Sequence, residues 1–410
     1  MIEPTDTDAN ATRPASPHGA QAWLEVFGAF LKLGLTSFGG PVAHLGFFRT
    51  EFVGRRAWLD EKSYADLVAL CQFLPGPASS QVGMAIGMQR AGLSGAIAAW
   101  LGFTAPSAIA LILFAYGVAA FGTVLDHGVL HGLKLATVAV VAQAVWSMAK
   151  NLCPDAPRAT IAVLAAMVLL VWPGSAIQLA VIVSAGLIGW RLLPASDGGT
   201  SGDETFPVGR RVAVVAWIVF FGLLLLLPLL AQTTTHTALQ MFDSFYRTGS
   251  LVFGGGHVVL PLLQAAVVPR GWVGNDAFLA GYGAAQAVPG PLFTFAAYLG
   301  AAMRVEPSGW VGGLLCLVAV FLPSFLLVVG ALPFWHQLRG NRGVRSALAG
   351  INAAVVGLLL AALYDPVWTG AIGSARDVGL VLGAVLLLAV WRVSPWIVVL
   401  VAAAVGALLG

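Results

Sequence analysis

The chain has 410 residues, of which 59% are hydrophobic and only 10% charged, and it carries a net charge of +3; a soluble domain typically has about 25% charged residues. That composition excludes an ordinary soluble fold, and with no basic run longer than two residues it also excludes a nucleic-acid-binding surface. Three scattered cysteines, Cys71, Cys153 and Cys316, argue against a disulfide framework and read as small buried hydrophobes.

Residues 1–19 are polar and are expected to form a disordered tail, without the pattern of a removable signal peptide. The first apolar helix starts near Gln21 and breaks at Gly39–Pro41. Residues 42–64 are amphipathic and hold Arg49, Glu51, Arg55, Arg56, Asp60, Glu61 and Lys62, which predicts an interfacial piece or a re-entrant arm. The apolar stretch 65–87 is interrupted by Pro75-Gly76-Pro77, so it is either a hairpin of half-helices or one kinked span. Spans over 93–121 (with Pro106 inside), 129–150, 159–172 and 174–193 complete a first repeat, residues 20–193. A polar linker follows at 194–211, then an extra linking span at 212–231, then a second repeat over 232–410.

The repeat is read from paired motifs. Phe38-Gly39-Gly40 returns as Phe253-Gly254-Gly255, 215 positions later, and Gln72 with Pro75-Gly76-Pro77 returns as Gln286 with Pro289-Gly290-Pro291, 214 positions later. Trp58 matches Trp272, Tyr64 matches Phe278, and Pro106-Ser107 matches Pro323-Ser324. With about six spans per half plus the extra one, the total is about 13 and equivalent helices are an odd number apart. The predicted fold is therefore an all-α integral membrane protein, built as an inverted repeat of two homologous halves with broken or re-entrant helices. Loop charge agrees with a cytoplasmic N-terminus except at Arg49, Arg55, Arg56 and Lys62, so either that arm folds back or the first crossings differ.

A broken helix in lipid must find partners for its freed backbone groups, and a polar site at mid-membrane is the usual reason for one. Lys32 and Arg247 sit six residues before Phe38 and Phe253. They would neutralise an anion; alternatively each pairs with an acid, Glu25 or Asp243 being nearest in sequence. Helices starting after Pro77 and Pro291 would present free N–H groups, joined by the hydroxyls of Ser79, Ser80 and Thr294 and the amides of Gln72 and Gln286. Such a ring of donors suits an oxyanion, while the plainer alternative is a packing kink with hydroxyls bonded back to carbonyls. Gly39, Gly40, Gly254 and Gly255 would allow close approach to a ligand or equally to another helix. His44 and His257 follow the two breaks and are candidates for proton coupling. His127 and His131 share an i, i+4 spacing but lack a third ligand, so no metal site and no cofactor are expected.

These residues resemble the chromate transporter family in its long, two-domain form. The resemblance rests on Phe-Gly-Gly-Pro at 38–41, Arg-Arg-Ala-Trp-Leu at 55–59, Gln-Phe-Leu-Pro-Gly-Pro at 72–77, Phe-Gly-Gly-Gly-His at 253–257 and Gln-Ala-Val-Pro-Gly-Pro at 286–291. It implies a multi-pass protein of the bacterial inner membrane that exports chromate and confers resistance, with sulfate as the stereochemical look-alike. A sulfate or other oxyanion permease and a passive anion channel stay open as alternatives. An enzyme is disfavoured, since the spans hold almost no clustered acids and histidines. Besides the oxyanion and membrane lipid, a homo-oligomer is compatible with the sequence but not indicated by it.

Overall fold

A computed structural model of the chain describes residues 20–121, 127–194, 208–335 and 341–409. The 1–19 tail and most of the polar linker lie outside the described residues. Every regular element among those described is helical. The first half comprises α1 (Ala20–Thr36), α2 (Gly40–Phe48), which runs into a π-helical turn (Arg49–Arg55), then α3 (Glu61–Phe73), α4 (Ala78–Phe121), α5 (His127–Leu152), α6 (Ala156–Val171) and α7 (Ser175–Leu192). The helix α8 (Arg210–Thr233) links it to α9 (Thr237–Leu251), α10 (Val259–Val267), α11 (Asn275–Ala287), α12 (Phe295–Ala301), α13 (Gly309–Ala331), α14 (Arg342–Ala362), α15 (Ala375–Ala389) and α16 (Pro395–Leu409). The order repeats once α4 is counted as two helices, because non-helical angles at Ala91 and Gly92 divide it where α12 and α13 are separate in the second half.

Six of these helices are long and apolar enough to cross a membrane: the long α4, α5, α7, α8, α13 and the stretch beginning with α14. Several shorter apolar helices, among them α6 and α16, accompany them. The outer faces are rows of exposed aliphatic side chains, Ile218, Leu225 and Leu229 on α8 for example, as a lipid-facing helix requires. The prolines inside α4, α8 and α13 are tolerated in such helices because neighbouring groups take up the freed carbonyls.

The amphipathic arm is a helical hairpin that packs back into the protein. Asp60 caps α3 by accepting from the Ser63 amide at 2.8 Å. Phe48 and Phe52 are fully buried; Phe48 meets Phe30 of α1 and Phe103 of α4 edge-on, and the Phe52 ring lies tilted against Phe30. The arm thus folds back, as one of the two readings of the loop charges expects. Residues 65–87 likewise form a hairpin of half-helices, α3 ending at Phe73 and α4 beginning at Ala78.

Within each half the first helix packs against the longest later one, α1 on α4 and α9 on α13. The equivalent glycines Gly34 and Gly249 make those crossings possible: a Cβ on Gly34 would lie 2.7 Å from the Gly102 carbonyl, and one on Gly249 would collide with the Val320 carbonyl. Between halves, helices are exchanged. The last pair of the second half, α15 and α16, packs on α5, and the last pair of the first half, α6 and α7, packs on α14. Backbones touch at these exchanges too, Gly128 against Gly406 and Gly189 against Gly350.

Candidate oxyanion site at the crossed breaks

The two kinds of break meet across the halves. Gly39 and Gly40 carry φ of 104° and 78°, Gly76 of 121° and Gly290 of 99°, values that L side chains rarely adopt. These angles turn backbone groups outward, and they pair reciprocally. The Gly76 amide of the first Pro-Gly-Pro turn donates to the Val252 carbonyl at 2.7 Å, just ahead of Phe253-Gly254-Gly255. The Gly290 amide of the second turn donates to the Ser37 carbonyl at 3.0 Å, just ahead of Phe38-Gly39-Gly40. Side chains repeat the exchange, Ser324 lying against Gly76 and Ser107 against Gly290. Pro41 packs on its own repeat equivalent, Gly256.

Around this crossing lies a set of buried polar groups with no protein partner. They include the hydroxyls of Ser37 and Ser80 from the first half and Ser324 from the second. Thr104 Oγ1, Gln81 Oε1 and Gln286 Nε2 are also unpartnered, although Gln81 Nε2 donates to the Pro75 carbonyl at 2.7 Å. A buried polar atom without a bond costs about 1–3 kcal/mol, so a cluster of them calls for a polar occupant. Ser79 is not free, since its hydroxyl lies 3.3 Å from His44 Nδ1. Thr294 bonds back to the Pro291 carbonyl at 2.7 Å. Gln72 faces outward, and Phe38 packs on Trp396 of α16 with ring centroids 5.3 Å apart.

His44 is buried, edge-on to Phe103, with Nε2 unpartnered. The His257 Nδ1 lies 2.8 Å from the Tyr282 hydroxyl. His131 Nε2 lies 2.7 Å from Asp377, and the side chain of His127 is outside those described. Among the described residues no three His, Cys, Asp or Glu are grouped to hold a metal.

The two basic residues singled out by sequence stand in separate ionic clusters. Lys32 Nζ is 3.7 Å from Glu51, so its acid is Glu51 and not Glu25. Arg247 pairs with Asp243, the i−4 acid. The Lys32 cluster continues through Arg56, 2.7 Å from Glu51 and 3.7 Å from Glu25, to Arg90, 3.0 Å from Glu25. Arg56 and Arg90 both lie 5.2 Å from the Trp58 ring centroid. In the second half Arg270 donates to the Ser244 hydroxyl at 2.8 Å and lies 4.7 Å from the Trp272 ring. The sequence carried a signal for these residues: Arg56 and Arg270, and Arg90 and Arg304, share the 214-residue offset of Trp58 and Trp272. Ser37, Gln81 and Thr104 carried none.

Glu51 sits among these cations with its side chain buried. Burial works against its charge, but the Arg56 hydrogen bond and the charges of Arg56, Lys32 and Arg55 outweigh burial and hold the carboxyl below its ordinary 4.5.

Comparison with known proteins gives a consistent picture. The chain matches the family described as "Chromate transporter" twice, over residues 24–190 and 239–407. It is 28% identical to a chromate transport protein of Pseudomonas aeruginosa, over 88% of this chain and 84% of that one. A probable chromate transport protein of Synechococcus elongatus is 25% identical over 84% of this chain and 85% of its own length. An uncharacterized transporter of Bacillus subtilis, YwrA, is 30% identical over 30% of this chain and 68% of its own length. No solved structure matches.

Proposed function

Because the chain belongs to the chromate transporter family, we propose that it is a secondary transporter that carries chromate out of the cell across the bacterial inner membrane. The observation that carries this reading is the reciprocal crossing, Gly76 to Val252 and Gly290 to Ser37, with unpartnered hydroxyls of both halves buried around it. An oxyanion offers only acceptor oxygens. The hydroxyls of Ser37, Ser80 and Ser324 and the Gln286 amide can all donate to it, and the helix start at Ala78 adds backbone N–H groups. Neutral donors of this kind recognise tetrahedral shape, so sulfate competes with chromate.

In this reading the halves form an inverted repeat of about 13 spans, and the crossed breaks are its fulcrum. Rocking one half against the other about the pseudo-two-fold would open the polar cluster to each side in turn. Reversal of the two halves explains why the same motifs meet head-on. No nucleotide is needed. A dianion leaving a negative-inside cell gains about 4.6 kcal/mol per 100 mV, at about 2.3 per charge, on the order of a thousandfold gradient. His44, whose Nδ1 meets the Ser79 hydroxyl while its Nε2 stays unpartnered, is the group best placed to couple a proton.

Counterflow of labelled chromate in proteoliposomes tests this reading. Saturable exchange, competed by sulfate and driven outward by an inside-negative potential, is the expected result. Large non-saturating conductance would make the protein a channel, and absence of chromate flux alongside sulfate flux would make it a sulfate permease.

A further inference from the structure

We propose that the second half carries an anion-docking vestibule at Arg247 and Arg270, which takes a tetrahedral divalent oxyanion such as sulfate or chromate before it reaches the crossed breaks. The ligand class rests on the transport reading; the site itself rests on a comparison of the two halves.

The halves place equivalent cations in equivalent positions, Lys32 with Arg56 and Arg247 with Arg270. In the first half two carboxylates satisfy them: Glu51 bridges Lys32 and Arg56, and Glu25 bridges Arg56 and Arg90. At the repeat offset Glu25 becomes Gln240, and Glu51 falls on Ala265 or Ala266. Both acids are thus missing from the second half, while the cations remain.

A pocket of about 390 Å³ stands there, lined by Gln240, Asp243 and Arg247 of α9 and by Arg270. At about 30 Å³ per water it has room for a tetrahedral dianion with part of its hydration shell. Among the described residues Arg270 has no carboxylate in ion-pair range; its partners are the Ser244 hydroxyl and the Trp272 face. Arg247 Nε is buried without a partner, and so is Asp243 Oδ1, because that ion pair uses one atom of each group. Two guanidiniums facing one carboxylate leave a positive balance, and their planar forks suit a tetrahedral oxyanion. In the first half, protein carboxylates occupy the corresponding place; in the second half, a solution anion would.

The remaining wall comes from α8, which contributes Pro228 and Gln232. That helix has no counterpart in the first half, so the vestibule is built once and on one mouth only. A transporter with otherwise paired halves thereby acquires a single anion-collecting side.

The test labels a cysteine at the rim of the whole protein in proteoliposomes. Gln232 is exposed and lines the pocket. With Cys153→Ala removing the partly exposed native thiol, Gln232→Cys is reacted with an anionic methanethiosulfonate. Sulfate should slow the reaction, and sodium chloride at matched ionic strength should not. Arg270→Gln should raise the half-protecting sulfate concentration about tenfold, the loss of one charge-assisted contact, and Arg270→Lys should recover most of the protection. Gln240→Glu, which restores the acid of the first half, should abolish it without touching either arginine. Protection that chloride reproduces, or that survives both Arg270→Gln and Gln240→Glu, overturns the vestibule. The labelling needs no turnover, so the two readings separate. Sulfate protection in a protein without chromate counterflow upholds the site and removes the transport reading; counterflow with protection indifferent to Arg270 does the reverse.

Discussion

Gly290 donates its amide to the carbonyl of Ser37 at 3.0 Å, so a turn of the second half holds the end of the first helix of the first half. Together with its mirror image at Gly76 and Val252, this bond makes each break a structural partner of the other half's break. Neither turn can be altered locally.

Gly76→Ala puts a side chain at a φ of 121°, where it overlaps the Ser324 hydroxyl and approaches the Gln81 amide nitrogen to 2.8 Å. Gly290→Ala meets the Ser107 hydroxyl at 2.9 Å and the Phe103 carbonyl at 3.1 Å. The backbone term is about 1–2 kcal/mol and overpacking adds about 1–3 kcal/mol. Both variants should lose transport and melt earlier, Gly76→Ala more so. A Gly76→Ala protein with wild-type melting and flux would remove the crossing as the organising contact.

Ser80→Ala should separate binding from folding. The Ser80 hydroxyl is buried and bonds to nothing in the protein, so its removal breaks no internal contact. Thermal stability of the ligand-free protein should hold or rise, by up to about 1–3 kcal/mol, while the KM for chromate rises about tenfold through loss of one donor to a charged ligand. Ser324→Ala should behave alike. Unchanged KM in both would place the substrate elsewhere.

Glu51→Gln should cost about 2–3 kcal/mol, mainly through Arg56, because Lys32 and Arg55 are more than half exposed and screened. The pH dependence has a definite sign. A carboxyl held below its unfolded value stabilises the fold at neutral pH, and this contribution fades as pH falls below 4.5 through the folded value. Melting curves of wild type and variant should therefore lie apart at neutral pH and converge on acidification. Curves that already coincide at neutral pH, or a variant more stable than wild type there, would mean that Glu51 is not held as a charged carboxylate in the folded protein.

A chain cut within the linker, between α7 and α8, should still assemble. Since α5 is covered by α15 and α16, and α14 by α6 and α7, each half completes the other. Co-expressed halves should purify together, and either half alone should be degraded. Two halves that are each stable alone would contradict the helix exchange.

Much of the helical plan was legible because its causes are local. Runs of apolar residues fixed α4 through α8 to within a few residues, and the 215- and 214-residue offsets exposed the repeat. The Gly-Gly and Pro-Gly-Pro breaks were equally plain, since clusters of glycine and proline in an apolar stretch mark positive φ and lost N–H groups. What the sequence could not supply was which break faces which. That depends on contacts between residues more than 170 positions apart, such as Gly76 with Val252, and no local pattern encodes them. For the same reason Glu25 looked like the acid for Lys32, being one helical face away, while the arm that folds back supplies Glu51 instead. Ser37 and Gln81 went unnoticed because a single polar side chain near a helix break has many ordinary roles.

The exchange of helices also sets an order of assembly. The partner that covers Gly128 on α5 is Gly406 of α16, which follows it by 278 residues (406 − 128). All of the intervening chain must therefore be made before the fifth helix can be covered, and the first half waits in the bilayer with that face bare. Loss of α16 would strike the N-terminal half first, by uncovering α5.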